Sequence, residues 1–463
     1  MSRGDAINLL YLVTIVTFIL ALRFLSSPAT ARRGNWLGAA GMTIALIATL
    51  LQAHLHNYAS ILIVMAVFAP VGAWAARAVK MTAMPQMVAL FNGVGGGAAA
   101  LVSLAEFHHD TPAPGAIKSD IAIGILLSAL IGSISFSGSL VAFGKLQELV
   151  SGRPIQYPGQ KVGNGLLIAG VAVLAIVVGA GPQKDWLLVL MILGALAFGV
   201  LFVLPIGGAD MPVVISLLNA FTGIAASATG FELHNNVLIV SGMLVGASGT
   251  LLTLMMARAM GRSVASVLFG AFGTLQVSAE AIAAGDGTVR SATADDVAVM
   301  LAYSQRVVIV PGYGLAVAQA QHDVAKLAEA LESRGVDVKY AIHPVAGRMP
   351  GHMNVLLAEA NVPYDRLYEM DDINPEFDQT DVALVIGAND VTNPSARNSP
   401  GSPIYGMPIL DVDHAKQVIV LKRSMNPGFA GIDNPLYAEP QTAMLFGDAK
   451  ASVVKLNDAL KSV

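Results

Sequence analysis

The chain has 463 residues, of which 55% are hydrophobic and only 13% charged, with a mean hydropathy of +0.64. Soluble domains carry about 25% charged residues, so this composition disfavours a wholly soluble protein. The net charge of −4 gives no support to nucleic-acid binding, and the absence of cysteine excludes disulfides, iron–sulfur clusters and thiol catalysis. Any redox chemistry here must therefore use a bound organic cofactor.

Charged residues are distributed unevenly along the chain. The first 262 residues carry 21 charged side chains, and the last 201 carry 37. Between the two parts, residues 263–290 are rich in Gly, Ala and Ser, which is typical of a linker. We therefore expect a transmembrane domain over residues 1–262, a linker over 263–290 and a globular domain over 291–463.

The first part contains nine apolar stretches that are long enough to cross a ~30 Å hydrocarbon core, which takes about 20 helical residues. The first stretch exceeds the ~7–15 apolar residues of a signal peptide, so it is interpreted as a retained span. The predicted spans cover approximately residues 6–25, 36–53, 58–79, 84–106, 120–146, 162–181, 185–204, 211–231 and 235–259.

The basic residues orient these spans. Nine Lys and Arg residues lie in loops on one side and three on the other. By the positive-inside rule the N-terminus is outside, and everything after Arg262 lies in the cytoplasm.

Three amide or hydroxyl side chains, Asn92, Ser139 and Asn219, lie at similar depth in three different spans. They are compatible with interhelical hydrogen bonds and also with a hydrated path for a proton or small ion. Asp210, at the turn before the eighth span, has two interpretations as well: a helix N-cap before Pro212, or a titratable group at the cytoplasmic mouth. Glu106 and Glu232 end spans on the outer side and are predicted to be interfacial.

From Val297 onward, apolar runs alternate with amphipathic segments, which predicts an α/β domain with a parallel, doubly wound, Rossmann-like sheet. The predicted strands are Val307–Val310, Val336–Ile342, Asp381–Ile386 and Gln417–Leu421. A single amphipathic helix is expected to follow the first strand and to reach about Arg334.

The turn after the first of these strands has the pattern Gly312-x-Gly314-x-x-Val317. Its glycines would let a dinucleotide pyrophosphate approach the backbone at a helix N-terminus, although an ordinary tight turn is the alternative. No acidic residue follows the second strand, where an NAD site usually has one for the ribose hydroxyls. Lys422, Arg423 and Ser424 follow another strand and suit a 2′-phosphate, unless they form only a solvated strand end. Together these features favour NADP.

With these motifs assembled, the chain closely resembles the β subunits of proton-translocating NAD(P) transhydrogenases over essentially all 463 residues. The matching motifs include Phe143–Leu146, Gly207–Pro212, Pro311–Gly314, His343–Ala360, Gly387–Asp390, Lys422–Asn426 and Phe446–Ser452. The resemblance implies that hydride passes between NAD(H) and NADP(H) while a proton crosses the membrane.

The resemblance also implies roles for individual residues. Asn92, Ser139 and Asn219 correspond to the membrane path, Asp210 to a carboxylate that faces the NADP domain, and Asp390 is a second candidate for titration. The implied NADP contacts are Tyr313, Val345, Ala346, Gly347, Arg348, Met349, Pro350, Gly387, Ala388, Asn389, Asp390, Val391, Gly406, Met407, Lys422, Arg423, Ser424, Met425, Asn426, Pro427, Gly428, Phe429, Asp448 and Ala449.

The chain departs from the family pattern in two ways. It has no NAD(H) domain, so we expect an α subunit to supply one, in a dimer of αβ units in the inner membrane. Many relatives have histidine at the position of Asn92, and asparagine cannot titrate near neutral pH. The competing functional class is a nucleotide-gated ion transporter or channel without hydride transfer. A purely structural membrane subunit would bind no nucleotide.

Overall fold

The computed structural model describes residues 3–51, 57–79, 83–110, 119–147, 149–151, 154–180, 184–207, 210–260, 263–269, 289–347, 351–400, 402, 404–428 and 430–463. The chain forms two compact units, Met1–Thr253 and Leu254–Val463.

Nine long helices make up the described part of the first unit, and α9 continues past its end. They are α1 (Arg3–Leu25), α2 (Pro28–Leu50), α3 (Tyr58–Ala78), α4 (Met84–Asp110), α5 (Ser119–Leu146), α6 (Gln160–Ala180), α7 (Asp185–Val203), α8 (Met211–Glu232) and α9 (Asn236–Ala259). All but α2 are both long and apolar enough to cross a membrane, which gives eight candidate spans in the described residues. Helix α2 begins at Pro28 rather than near residue 36, since proline is favoured in a first helical turn. Its early turns therefore include Arg32 and Arg33.

Helices α4 and α5 cross closely because both carry glycine at the crossing point. A Cβ atom on Gly96 would lie 2.8 Å from the Gly132 carbonyl oxygen, and one on Gly132 would lie 2.6 Å from the Gly96 oxygen. Contacts this short leave no room for a side chain, so these two glycines permit the close packing of the helices. The close crossing holds the polar residues of the two helices within hydrogen-bonding reach.

The second unit contains a six-stranded sheet in which every neighbouring pair is parallel, in the order β3-β2-β1-β4-β5-β6. The strands are β1 (Arg306–Pro311), β2 (Asp337–Ile342), β3 (Leu367–Glu369), β4 (Val382–Ile386), β5 (Gln417–Lys422) and β6 (Thr442–Phe446). The parallel sheet is confirmed, and the four predicted strands correspond to β1, β2, β4 and β5. Strands β3 and β6 were not predicted.

Apolar cores cover both faces of this sheet. Val307 and Ile309 belong to one core, and the alternate residues Val308 and Val310 to the other. Burial on both faces explains why the parallel strands are continuous apolar runs. The helices of this unit are α10 (Val264–Phe269), α11 (Ala294–Ala302), α12 (Tyr313–Ala318), α13 (Gln321–Glu332), α14 (His352–Glu359), α15 (Met370–Ile373), α16 (Ser395–Asn398) and α17 (Ala449–Leu460).

The single helix expected after β1 is wrong, because the structure has two helices, α12 and α13. Gln319 adopts a left-handed conformation with φ of 52° and ends α12. The amide of Ala320 then bonds to the Leu315 carbonyl oxygen at 3.2 Å, a helix-closing bond of the Schellman type. As a result α12 has only six residues.

The predicted linker lies partly outside the described residues, which omit 270–288. Its last residue, Arg290, accepts a hydrogen bond from Met444 of β6 at 2.7 Å, and Ala292 donates one back to Met444 at 2.9 Å. The chain therefore joins the edge of the sheet at residue 290.

Candidate functional site

The loops after β1 and β4 meet at the carboxyl edge of the sheet. The order of the strands reverses between β1 and β4, and such switch points open a crevice that binds ligands in parallel sheets. The Gly312 amide donates to the Ile386 carbonyl oxygen at 2.9 Å, and the Gly314 amide to the Gly387 oxygen at 2.9 Å. A Cβ atom on Gly312 would lie 2.3 Å from the Ala388 nitrogen. The contact between the loops by itself requires this glycine.

The rest of the predicted fingerprint lies on α12. Its first residue, Tyr313, places its ring edge-on to His352, with 6.3 Å between the ring centroids. Val317, the third position of the pattern, is 46% exposed. The backbone around Gly312 is the part of the fingerprint that contacts the loop after β4.

A second contact joins the loop after β4 to the loop after β5 through Asn389. When the Asn389 side-chain oxygen faces Lys422, it accepts from Lys422 Nζ at 3.1 Å and from the Gly428 amide at 2.7 Å. The Asn389 nitrogen then donates to the Tyr437 hydroxyl at 2.6 Å. Lys422 Nζ also donates to the Asn426 carbonyl oxygen at 2.6 Å and lies 4.9 Å from the centre of the Tyr437 ring.

Asp390 extends this network. Its Oδ2 atom accepts a hydrogen bond from the Ala430 amide at 3.0 Å. A Cβ atom on Gly428 would lie 2.6 Å from Asp390 Oδ1, so glycine permits the close approach of the two loops. The structure thus brings together Asn389, Asp390, Lys422 and Gly428, which the sequence analysis assigned to one site.

The two predicted phosphate-binding cations differ in their surroundings. Burial lowers the pKa of Lys422, against the opposing effect of the Asp390 and Asp433 carboxylates. The Arg423 side chain is exposed and makes no ion pair with any residue that the structure describes. Ser424 Oγ accepts from the Asn426 amide at 3.4 Å. Arg423 is therefore the cation presented to solvent, whereas Lys422 is built into the loop.

The loop after β2 is organised by His343, which is only 1% exposed. Its Nε2 atom lies 2.8 Å from the Pro408 carbonyl oxygen and its Nδ1 accepts from the Val345 amide at 3.2 Å, so the ring is a neutral Nε2–H tautomer. Burial lowers the pKa of His343 to about 4, despite its bond to Pro408. Further along the loop, Gly347 has φ of 108°, a conformation that favours glycine.

The other predicted contacts lie nearby in the chain or fall outside the description. Gly406 has φ of 81° and donates to the Ala396 carbonyl oxygen at 2.9 Å. Met407 packs on the small apolar cluster of Ala396, Ile404 and Ile409. Asp448 caps α17 by accepting from the Ala451 amide at 3.1 Å, and Ala449 begins that helix. Arg348, Met349, Pro350 and Phe429 lie outside the described residues.

In the first unit, Asn92 and Ser139 form the predicted interhelical contact. Asn92 Nδ2 donates to Ser139 Oγ at 2.9 Å and approaches Ser135 Oγ at 3.3 Å. Ser135 in turn lies 2.6 Å from the Thr222 hydroxyl of α8. The sequence analysis missed Ser135 and Thr222, whereas Asn219 is exposed and does not join this cluster in the described structure.

A repeat of seven residues could have indicated the missed hydroxyls. Ser128 and Ser135 on α5 are seven positions apart, as are Thr222 and Thr229 on α8. Ser128 Oγ and Thr229 Oγ1 are 2.6 Å apart. Since seven residues are close to two helical turns, both hydroxyls of each helix face the same neighbour.

Asp210 occupies the N-cap position of α8, but its side chain makes no capping hydrogen bond. Its amide donates to the Gly207 carbonyl oxygen at 3.1 Å. Just before this turn, buried Lys145 of α5 donates to the carbonyl oxygens of Leu204 at 2.5 Å and Ile206 at 2.7 Å. Lys145 thereby ties the start of the turn to α5.

Comparisons with known proteins agree with this architecture. A family model described as NAD(P) transhydrogenase beta subunit matches residues 7–459. Two relatives from Rhodospirillum rubrum, one of them from a named strain, are both called NAD(P) transhydrogenase subunit beta. Each is 49% identical over 455 residues, which is 97% of this chain and 98% of the relative.

The fold defines a protein with many membrane-type apolar helices, followed by a parallel-sheet domain whose strand order reverses between β1 and β4. The match covers both of these parts. The chain belongs to the NAD(P) transhydrogenase beta subunit family.

Proposed function

We propose that this chain binds NADP(H) on its sheet domain and couples hydride transfer with NAD(H), held by an α subunit, to proton translocation. The observation that carries the proposal is the family match over residues 7–459, which includes the sheet domain and the apolar helices together. The proposed form of the sheet domain is Rossmann-like, and the strand order β3-β2-β1-β4-β5-β6 is the one this class uses for dinucleotides.

The residues present at the carboxyl edge fit NADP(H). Arg423 and Lys422 supply positive charge for the 2′-phosphate, and Arg423 is exposed without an ion-pair partner in the described structure. The backbone amides around Gly312 suit a pyrophosphate. When bound, NADP(H) supplies or accepts the hydride at its nicotinamide ring. The task of this chain is to hold that ring in position, and Asn389, Tyr437 and Lys422 keep two of the loops in one arrangement.

The proposed proton path runs through α4, α5 and α8, where Asn92, Ser139, Ser135 and Thr222 form one hydrogen-bonded layer. Proton occupancy at Asp210 biases the affinity of the sheet domain for NADP(H), which is the thermodynamic requirement for coupling. Each 100 mV of membrane potential offers ~2.3 kcal/mol per proton for this purpose. Asp390 is the second candidate for the coupled titration.

The proposed setting is the inner membrane, with nine spans, the N-terminus outside and the sheet domain in the cytoplasm. Eight helices support this by composition, and α2 is the ninth proposed span. The proposed assembly is a dimer of αβ units, in which the α subunit carries the NAD(H) domain.

The test is made on the chain assembled with its α subunit in lipid vesicles. NADPH reduces an NAD analogue while proton uptake into the vesicles is recorded. We expect Asp210→Asn to insert and to bind NADP(H), while hydride transfer and proton uptake fall together. Asp295→Asn, an exposed aspartate of α11, is the matched control and should behave as wild type. NADP(H) binding with ion flux but without hydride transfer would instead identify a nucleotide-gated transporter or channel.

A further inference from the structure

A buried carboxyl group lies at the end of α8 opposite to Asp210. Glu232 is the last residue of α8, and it is only 3% exposed. Glu232 lies 22 positions after Asp210, which separates their backbones by about 33 Å along the helix axis, roughly the thickness of a bilayer core. Ionisable residues that are buried inside a bundle of transmembrane helices often mark ion pathways.

Helices α4 and α5 enclose the Glu232 side chain. The Oγ atom of Ser103 on α4 lies 3.0 Å from Glu232 Oε2. On α5, a Cβ atom added to Gly124 would lie 3.5 Å from Glu232 Cβ, so this glycine lets α5 pack closely against the side chain. In the described part of the chain Oε1 has no hydrogen-bond partner, and no basic residue forms an ion pair with this carboxyl. The residue that interacts electrostatically with the Glu232 carboxyl is Glu106 of α4, which is also acidic.

The hydroxyl of Ser103 can serve either protonation state of Glu232. Its single hydrogen can be donated to Glu232 Oε2, or to the Ala99 carbonyl oxygen at 3.1 Å. A carboxylate needs the first arrangement, whereas a carboxyl that is protonated on Oε2 donates its own hydrogen to Ser103 and needs the second. Protonation of Glu232 at Oε2 therefore reorients the Ser103 hydroxyl on α4.

The same carbonyl oxygen connects Ser103 to the interior of the helix bundle. Ser128 Oγ of α5 lies 3.4 Å from the Ala99 oxygen and 2.6 Å from the Thr229 hydroxyl of α8. A second polar layer, formed by Asn92, Ser135 and Thr222, lies seven positions away from Ala99, Ser128 and Thr229 on the same three helices. Seven positions correspond to about 10 Å along a helix. Polar groups thus recur between these three helices from Glu232 to the layer that contains Asn92. A distance of ~10 Å between layers exceeds one hydrogen bond, so proton movement between them requires intervening water.

We propose that Glu232 binds and releases the translocated proton at the end of the α4–α5–α8 path opposite to Asp210, with Ser103 as its hydrogen-bonding partner. This inference rests on the proposed function, because it assumes that protons cross between these helices. Its protonation can nevertheless be measured without hydride transfer.

The first experiment is an infrared pH titration of the full chain in lipid, without the α subunit or nucleotide. We expect a carboxyl C=O band from a group shielded from solvent that is lost in Glu232→Gln and shifted in Glu232→Asp. Glu106→Gln, on the facing helix, is the matched control and should retain the band. A band that does not change with pH, or that persists in Glu232→Gln, would overturn the proposal.

The second experiment uses the complete complex in vesicles, with NADPH, an NAD analogue and a pH indicator. Proton-transfer groups contribute ~10²–10⁴-fold, so we expect coupled hydride transfer and proton uptake to fall together by about a hundredfold in Glu232→Gln. Glu232→Asp should restore part of both activities with an altered dependence on the pH of the outer side. NADP(H) binding, measured on the same preparations, should be unchanged.

The outcomes separate the two hypotheses. Wild-type hydride transfer without proton uptake would refute the coupling function, and the role of Glu232 with it. Coupled proton uptake in the wild type that is also normal in Glu232→Gln would leave the proposed function intact and refute only the role of Glu232.

Discussion

Replacing the two cations that follow β5 should separate phosphate recognition from loop structure. Arg423 is exposed and makes no ion pair within the described residues, so Arg423→Ala removes positive charge without breaking a contact. A hydrogen bond to a charged group contributes ~1.5–3 kcal/mol, which corresponds to a loss of about 10- to 150-fold in NADPH affinity. Binding of NADH, which lacks the 2′-phosphate, should barely change.

Lys422→Ala should behave differently, because Lys422 holds its own loop. Its Nζ donates to the Asn426 carbonyl oxygen at 2.6 Å and lies over the Tyr437 ring, a contact worth about 0.5–2 kcal/mol. We therefore expect Lys422→Ala to weaken the binding of both nucleotides, and that of NADPH more.

The assay is equilibrium titration of the full chain in lipid with NADPH and with NADH, at low and high salt. Lys455→Ala, an exposed lysine of α17, controls for the loss of one surface charge. Equal losses for both nucleotides in Arg423→Ala would refute the assignment of Arg423 to the 2′-phosphate.

Three further predictions concern other parts of the chain. The pKa of His343 is about 4, below the ~6.5 of an unfolded histidine, so its burial stabilises the sheet domain fully above pH ~6.5 and progressively less towards pH 4. Urea unfolding followed by pulse proteolysis should show this loss, and His343→Gln should flatten the pH dependence of the unfolding midpoint. Lys145→Met removes two hydrogen bonds to the turn before Asp210, each worth ~1.5–3 kcal/mol. It should lower proton uptake in vesicles while NADP(H) binding persists, and normal uptake would contradict a role for that turn. Because the chain lacks cysteine, Ser26→Cys and Asn57→Cys can be labelled singly with an impermeant maleimide. The two cysteines should react from opposite sides if α2 crosses the membrane, and from the same side if it does not.

The four strands that the sequence predicted, β1, β2, β4 and β5, are those that lie inside the sheet. Strands β1, β4 and β5 are buried on both faces, which produces runs such as Val307–Val310 that periodicity identifies easily. Strand β3 has only three residues and lies at the edge, so its sequence carries little signal. The break between α12 and α13 depends on the left-handed conformation of Gln319. Glutamine rarely adopts that conformation, so the sequence does not predict the break.

The hydrogen-bonded layer of Asn92, Ser139, Ser135 and Thr222 was only partly predictable from the sequence. The depth of a residue in a span can be calculated from the helical rise per residue. This calculation put Asn92 and Ser139 at similar depth, and their side chains are hydrogen-bonded in the structure. The face of the helix depends instead on rotation, and Asn219 and Thr222 differ by about 60° around α8. Thr222 therefore points to Ser135, whereas Asn219 is exposed on the first unit.

Asn92 matters most for the proposed mechanism, since an asparagine side chain does not change its protonation state near neutral pH. Its side-chain nitrogen donates hydrogen bonds to Ser135 and Ser139. Its Oδ1 atom is buried and has no hydrogen-bond partner among the described residues. A buried acceptor of this kind suits a water molecule. In the proposed mechanism, titration is then needed only at the two ends of the α4–α5–α8 path, where Asp210 and Glu232 lie.

This arrangement predicts opposite results for two substitutions of Asn92. Asn92→Leu removes both the donor and the acceptor, so we expect proton uptake and coupled hydride transfer to be lost together while NADP(H) still binds. Asn92→His retains a donor and adds a titratable ring, so activity should persist with a new dependence on pH near 6.5, the ordinary pKa of histidine. Both are measured as proton uptake into vesicles during NADPH-driven reduction of an NAD analogue. Normal uptake in Asn92→Leu would show that protons do not pass Asn92, and the path would then have to be sought away from the α4–α5–α8 layers.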